Sequence, residues 1–178
     1  MRRRLLALLL VALVSGAVAG TVASAKGRPS TAPRIPALPK LHEVANVCPV
    51  PSQYRPAFAR AAHDTGLPLA MLVAVGQVES NLQADARSSA DARGLLQVLP
   101  STAAELRLNA DVPASNVLAG ARYLEQLLAR FHSTDLALAA YNAGPTAVAE
   151  AGGAPTMETV QYVANVTSQW RELRGCTP

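Results

Sequence analysis

The sequence predicts an all-α domain, preceded by an N-terminal segment of different character. From Tyr54 onward, apolar residues recur every three or four positions, which is the spacing of an amphipathic helix. Glycine and proline interrupt this pattern at short intervals, and strand-like alternation is scarce. Many brief helices joined by short connections are typical of a compact all-α domain.

The first two helices are predicted on either side of a glycine. Residues 54–65 form an Ala-rich helix that ends at Gly66, since glycine readily takes the left-handed conformation that closes a helix. Pro68 suits the first turn of the second helix, which runs to Glu79. A period of 3.6 residues places Glu79 on the same face as three core residues, Leu72, Val75 and Gly76.

The middle of the chain is predicted as a loop, a turn and a short helix. Residues 81–93 form the loop, and residues 94–99 form an apolar turn. Pro100 opens the helix that follows. Thr102 and Glu105 have the spacing of a capping box for that helix.

Four more helices are predicted before the C-terminus. The first runs from about Ser115 to Phe131 and buries a stripe of Val117, Ala121, Leu124, Leu128 and Phe131. The other three are a helix capped by Ser133 or Thr134 that stops near Gly144, a helix from Pro145 to Gly152-Gly153, and a helix capped by Thr156 that runs through Trp170.

Glu79 is the most unusual residue of this pattern, because it ends a helix that is otherwise almost entirely apolar. A carboxyl in such surroundings loses hydration, which raises its pKa. A general acid must keep its proton close to neutral pH. We therefore predict that Glu79 is a general acid.

Residues 1–25 have the features of a secretory signal peptide. Arg2, Arg3 and Arg4 precede an apolar run, and Ala23-Ser24-Ala25 offers small residues for cleavage. An uncleaved signal anchor is the alternative, because residues 5–25 carry no charge and approach the ~20 residues that span a bilayer. The glycines and serines in that run favour cleavage. An exported protein is expected, either secreted or held in the cell wall or periplasm.

Residues 26–47 form a Pro-rich basic linker, and residues 48–178 are predicted to be the folded domain. The whole chain has a formal charge of +4, but residues 26–178 carry only +1 and residues 48–178 carry −2. A nucleic-acid partner is therefore not expected, because the folded part has no basic excess. The linker could make weak contact with an anionic wall or membrane surface, although a solvated spacer is the simpler interpretation.

The two cysteines lie at opposite ends of the predicted domain. In an exported protein, the presence of two cysteines, Cys48 and Cys176, favours one disulfide between them. Two free thiols are the alternative. Such a long covalent loop could stabilise the domain by ~4 kcal/mol. The three histidines have no ligand spacing with the cysteines, so no metal and no cofactor are predicted.

The polar residues that follow Glu79 resemble those of the soluble lytic transglycosylase family, which is related to goose-type lysozyme. The resemblance covers residues 54–166. It is carried by Glu79-Ser80, Ser88, Gly94-Leu95-Leu96-Gln97 with Pro100, Thr102-Ala103, Asn116 with Gly120 and Tyr123-Leu124, Ala139 to Gly144, and Glu158-Thr159 with Tyr162-Val163. Ser88 lies nine positions after Glu79 and Gln97 eighteen, which are the family's spacings. Leu96 and Leu99 stand where methionines are frequent, and Asp91 stands where glycine is common.

The resemblance implies a lysozyme-like fold and a role for each matched residue. Glu79 would be the catalytic acid and base, and Ser88, Gln97 and Asn142 would line the glycan groove. Tyr141 would orient the reacting sugar or the acid. Ser80, Glu158 and Tyr162 would be structural or support the residues that contact substrate.

The implied activity is cleavage of the MurNAc-GlcNAc β-1,4 bond of peptidoglycan with formation of 1,6-anhydro-MurNAc ends, by a monomer that needs no cofactor. A lysozyme-type hydrolase is the alternative within enzymes, and it would need a base such as Asp85 or Asp91 to activate water. A non-catalytic peptidoglycan-binding module is the other alternative.

Overall fold

The computed structural model describes residues 46–178, which include the whole predicted domain. The predicted signal segment and residues 26–45 of the linker lie outside the described residues. Within 46–178 the regular structure is helical, and only isolated β-bridges accompany it. The helices are α1 (Arg55–Thr65), α2 (Leu69–Ser80), α3 (Pro100–Glu105), α4 (Pro113–Phe131), α5 (Thr134–Ala143), α6 (Pro145–Ala151) and α7 (Met157–Glu172). The all-α prediction is confirmed.

The signals that end and begin helices act mostly where the sequence predicts them. Gly66 ends α1 and Gly152 ends α6, both with the left-handed backbone that glycine tolerates best. Ser133 caps α5, because its side chain accepts a hydrogen bond from the backbone N–H of Leu136. Thr156 caps α7 in the same way through the N–H of Thr159.

Three details of the predicted helices are wrong. Pro68 has an extended ψ of 128° and precedes α2 instead of lying in its first turn. The predicted capping box does not form, since α3 already begins at Pro100 and its N-cap is Leu99. α4 begins at Pro113, two residues before the predicted start, because proline is favoured at the first helical position.

Helix α2 lies at the centre of the domain. Every residue from Ala70 to Gly76 is buried, so α2 is covered on all sides and not on one face as its period suggests. It packs against α1 on one side and against α7 on another, while α4 packs against α1 and α5. The last turn of α2, which holds Glu79, therefore emerges from the core next to α7.

The two ends of the domain are joined covalently. Cys48 and Cys176 form a disulfide, with their Cα atoms 4.9 Å apart, and the predicted pairing is confirmed. Two backbone hydrogen bonds flank the bond: the N–H of Cys48 donates to the carbonyl of Thr177 at 2.9 Å, and the N–H of Thr177 donates to the carbonyl of Asn46 at 2.8 Å. Among residues 46–178, no helix is both long and apolar enough to cross a bilayer.

Candidate active site

Glu79 lies in the last turn of α2, partly buried where that helix leaves the core. Its Oε1 accepts a hydrogen bond of 2.6 Å from the hydroxyl of Tyr162 on α7. Burial raises the pKa of Glu79 to about 7, and the Tyr162 hydrogen bond opposes part of that rise. A large fraction of the Glu79 side chains therefore carries a proton at neutral pH, as a general acid requires.

Tyr162 remains a hydrogen-bond donor throughout the physiological range. Its side chain is buried, and burial together with the nearby Glu79 raises its pKa well above the ordinary value of tyrosine. It can therefore donate to the Glu79 carboxylate without losing its own proton. This contact engages one oxygen of Glu79, and no hydrogen bond within residues 46–178 engages the other.

The turn over residues 94–98 is held by a fully buried asparagine of α4. The Oδ1 of Asn116 accepts from the N–H of Leu96 at 2.9 Å, and its Nδ2 donates to the carbonyls of Arg93 and Ala110 at 2.6 and 3.0 Å. Gly94 has φ +70°, and a Cβ there would lie 2.8 Å from the Nδ2 of Asn116. The turn therefore needs glycine at position 94, both for its backbone and for the close approach of Asn116.

Two hydroxyls attach the same turn to the helices around it. The hydroxyl of Tyr141 on α5 donates to the carbonyl of Leu96 at 2.8 Å. The hydroxyl of Ser80 at the end of α2 donates to the carbonyl of Leu95 at 2.8 Å. Tyr141 therefore positions the turn that carries Gln97, whereas Tyr162 is the tyrosine that contacts the acid.

A groove of about 340 Å³ brings together the residues that the sequence predicts at the site. Its lining includes Glu79, Ser88, Gln97, Tyr141, Asn142 and Glu158. Tyr162 and Ser80 do not line this cavity. Tyr162 holds Glu79, which does, and Ser80 holds Leu95 in the turn that carries Gln97. A second cavity on the α7 side shares Glu79, Asn142 and Glu158 and adds Tyr162.

The three neutral polar residues of the groove offer different hydrogen-bonding groups. The Nε2 of Gln97 donates to the carbonyls of Ala86 and Gly94, so its Oε1 is left as an acceptor. The Oγ of Ser88 accepts from the N–H groups of Ala90 and Ala92, which leaves its own proton to donate. The Oδ1 of Asn142 accepts from the hydroxyl of Thr159, which leaves its amide N–H groups to donate.

Gly120 on α4 provides a test of how closely the turn is packed. A Cβ added there would lie 2.6 Å from Leu96 Cδ1, 2.7 Å from Leu96 Cβ and 2.7 Å from the hydroxyl oxygen of Tyr141. We expect Gly120→Ala to displace the turn and to lower the free energy of unfolding by about 1–3 kcal/mol, measured by urea denaturation. Gly153→Ala is the matched control, because no atom lies within 4 Å of a Cβ at that position. Equal stabilities of the two variants would contradict the close packing.

The loop before the turn is tied down by an ionic network that the sequence does not reveal. Arg93 donates to Asp91 at 2.9 Å and to Asp111 at 2.6 Å, and Arg87 donates to Asp111 at 2.9 Å. The hydrogen bond from Arg93 holds the pKa of Asp91 below the usual range of aspartate. Asp91 has φ +63°, in the left-handed region that glycine adopts most readily, so the backbone at this position would also accept glycine.

Sequence reasoning missed the roles of several residues that support the site. Asn116 is the only asparagine on the buried side of an otherwise apolar and glycine-containing stripe of α4, which was a usable signal. Thr159, Arg87, Arg93 and Asp111 gave no such signal, because the contacts Thr159–Asn142, Arg93–Asp111 and Arg87–Asp111 join residues 17, 18 and 24 positions apart. Within residues 46–178, no three histidine, cysteine, aspartate or glutamate side chains are arranged to hold a metal ion.

The all-helical architecture around the buried helix α2 is that of a lysozyme-like domain. Its fold matches solved structures of that class. The lytic transglycosylase Slt from Pseudomonas aeruginosa, solved as an inactive mutant, is 31% identical with a TM-score of 0.61, over 72% of this chain and 25% of that one. The 70-kDa soluble lytic transglycosylase of Escherichia coli is 25% identical with a TM-score of 0.57, over 69% of this chain and 25% of that one.

Residues 56–161 match the family model described as the Transglycosylase SLT domain, and the chain belongs to this family. A curated relative, membrane-bound lytic murein transglycosylase F of Cellvibrio japonicus, is 30% identical over 134 residues, which is 71% of this chain and 26% of that protein. Membrane-bound lytic murein transglycosylase F 1 of Alkalilimnicola ehrlichii is 34% identical over 100 residues, 52% of this chain and 20% of that protein. This chain spans 20–29% of the length of the curated relatives it matches.

Proposed function

We propose that this chain is a peptidoglycan-cleaving lytic transglycosylase that cuts the MurNAc-GlcNAc β-1,4 bond and leaves 1,6-anhydro-MurNAc ends. The observation that supports it best is Glu79, which lines the groove and whose pKa burial raises to about 7. Its neighbours Ser88, Gln97 and Asn142 offer neutral donors and an acceptor, which suit hydroxyl and acetamido groups. The relatives named above are lytic murein transglycosylases, and one of them was solved as an inactive glutamate-to-glutamine mutant.

In the first step, protonated Glu79 donates its proton to the glycosidic oxygen as the bond to the MurNAc C1 breaks. GlcNAc leaves with the proton, and Glu79 becomes a carboxylate. The developing positive charge at C1 is stabilised by the N-acetyl carbonyl of the same sugar. Tyr162 donates to the Glu79 carboxylate and lowers the cost of its ionisation.

In the second step, the Glu79 carboxylate removes the proton of the MurNAc 6-hydroxyl, and that oxygen bonds to C1. The product is an intramolecular 1,6-anhydro ring, and Glu79 has recovered its proton without consuming water. One carboxyl group suffices for both steps because the substrate supplies the nucleophile. Most glycoside hydrolases need two carboxyl groups, one of which serves as nucleophile or activates water.

The carboxylates proposed for a hydrolase are engaged elsewhere or lie outside the groove. Asp91 is paired with Arg93 and does not line the groove with Glu79. Asp85 lines a different cavity together with Arg87, Arg93 and Asp111. Glu158 is the carboxylate that does share the groove with Glu79, and it lies in the exposed first turn of α7, where the helix dipole favours a negative charge.

Neutralising these carboxylates separately should distinguish the two reactions. We expect Asp91→Asn to keep glycan cleavage within about threefold of the wild type, since it breaks only exposed ion pairs. We expect Glu158→Gln to keep the anhydro product, whatever its effect on substrate affinity. A loss of about 100-fold in kcat of either variant, together with wild-type products that carry water, would instead identify that residue as the base of a hydrolase.

The mass of the products tests the reaction directly. Digestion of purified glycan strands by the wild-type chain, followed by mass spectrometry, should give muramoyl ends that lack the mass of one water relative to hydrolysed ends. Products that carry this water would exclude the transglycosylase and leave the hydrolase. Bound strands that remain uncut would leave the non-catalytic binding module.

We further propose that the chain acts outside the cytoplasm, where peptidoglycan lies. The signal-like residues 1–25 and the Cys48–Cys176 disulfide support this, because disulfides persist in exported proteins. The basic linker would add weak contact with an anionic wall or membrane surface, and a monomer is sufficient for the groove described above.

A further inference from the structure

The amide of Asn142 has a defined orientation although the residue is exposed. Asn142 lies near the C-terminal end of α5 and lines the groove beside Glu79. The terminal torsion of asparagine is broad, and its two ends present opposite chemistry, an N–H donor or a carbonyl acceptor. In water alone, either end of an exposed amide could face the groove. A contact within the fold is therefore needed to hold one end of the amide toward the groove.

The selecting group is the hydroxyl of Thr159, a buried residue in the first turn of α7. Its Oγ1 donates to the Oδ1 of Asn142 at 3.0 Å. Thr159 is only 2% exposed, so water does not compete readily for this hydroxyl. Neither N–H of the Asn142 amide has an acceptor among residues 46–178, so both are available to a ligand.

The hydroxyl of Thr159 also contacts Thr156, the residue that caps α7. Thr159 has a single hydroxyl proton, and since it goes to Asn142, the 3.0 Å contact with Thr156 Oγ1 must be a donation from Thr156. The same Thr156 oxygen accepts the backbone N–H of Thr159 at 3.1 Å. A row of donors therefore runs from the cap of α7 to the groove. Turning the Asn142 amide over would require both hydroxyls of the row to reverse.

We infer that Thr159 is a positioning residue, which holds the Asn142 amide so that its N–H groups face the glycan. The role rests on the proposed function, because it matters only if Asn142 contacts a sugar acceptor oxygen during cleavage. It assigns a function to a threonine that touches neither the substrate groove nor Glu79. It also couples the N-terminal cap of α7 to the substrate side of the site.

Substitutions at Thr159 can separate this role from simple packing. Thr159→Val keeps the shape of the side chain and the backbone N–H but removes the hydroxyl, and we expect it to lower kcat/KM on glycan strands by about 2- to 10-fold. Thr159→Ser restores the hydroxyl and should recover most of the activity. Thr167→Val is the matched control, since Thr167 lies on the same helix and its hydroxyl bonds only to the backbone carbonyl of Val163.

A double-mutant cycle with Asn142→Ala shows whether Thr159 acts through Asn142. The Thr159→Val change should have almost no effect in the Asn142→Ala background, because the amide it positions is gone. An equal loss of activity in both backgrounds would overturn the inference and leave a packing role. A Thr159→Val variant with wild-type activity would also overturn it.

An NMR measurement that does not depend on activity tests the positioning role of Thr159 separately from the proposed function. In NMR spectra of the uniformly ¹⁵N-labelled chain, the Asn142 side-chain amide signals, assigned by their loss in Asn142→Ala, should shift or broaden in Thr159→Val and stay in place in Thr167→Val. An unchanged Asn142 amide signal in Thr159→Val would refute the positioning role. If the wild type cleaves no glycan but this shift is observed, the proposed function fails while the orientation of Asn142 stands.

Discussion

The Glu79→Gln variant is expected to lose glycan-strand cleavage by about 100- to 10,000-fold, the usual contribution of a general acid. Glutamine has the shape of a protonated glutamate but cannot give up a proton to the glycosidic oxygen or remove one from the 6-hydroxyl. Both proposed steps therefore fail together. The release of soluble muropeptides from purified peptidoglycan measures the effect. The matched control is Glu150→Gln, the same exchange at an exposed position of α6, which should leave the rate unchanged.

Thermal unfolding at two pH values tests the raised pKa of Glu79 without relying on activity. The pKa of Glu79 is about 7 in the folded chain, against an ordinary 4.5. Between these values the folded chain holds a proton that the unfolded chain has released, so this group lowers stability as pH rises. The wild type should therefore lose more stability than Glu79→Gln between about pH 5 and pH 8. A variant that keeps wild-type cleavage would remove Glu79 from the mechanism, whatever its stability.

Removal of the disulfide should produce the largest loss of stability among these variants. The bond between Cys48 and Cys176 closes a loop with a sequence separation of 128 residues. Replacing both cysteines by serine should lower the free energy of unfolding by about 4 kcal/mol, because the unfolded chain regains the freedom of that loop. The expected fall in Tm exceeds about 10 °C for a domain of this size. Differential scanning calorimetry measures it.

Reduction of the wild type distinguishes the effect of losing the disulfide from the effect of replacing the cysteine side chains. Dithiothreitol should lower the Tm of the wild type nearly to that of the double serine variant and leave the variant itself unchanged. If the reduced wild type keeps its Tm, the two hydrogen bonds beside the disulfide hold the ends together without it.

Most of the fold could be predicted from the sequence, because local signals set most of its boundaries. Gly66 and Gly152 end their helices, and Ser133 and Thr156 cap theirs, through contacts within a few residues. The errors arose where two local signals competed. Thr102 looked like a cap, but Pro100 two residues earlier had already begun the helix.

The identity of the site residues was easier to predict than the hydrogen bonds among them. Glu79 stood out because its own helix is apolar, and burial accounts for its raised pKa. The different roles of the two tyrosines could not be predicted from the sequence. Tyr141 bonds to a residue 45 positions away, and Tyr162 bonds to one 83 positions away. Such pairings depend on how α5 and α7 pack against the core, which no local pattern encodes.

The joined ends of the domain also determine how it would bear mechanical load. A pull that enters through the chain before Cys48 and leaves through the chain after Cys176 passes across the disulfide, since the two residues are covalently linked. The helices between them would carry almost none of that tension. The groove of Glu79 would thus keep its geometry while the domain is stretched between its two termini, for as long as the disulfide is oxidised.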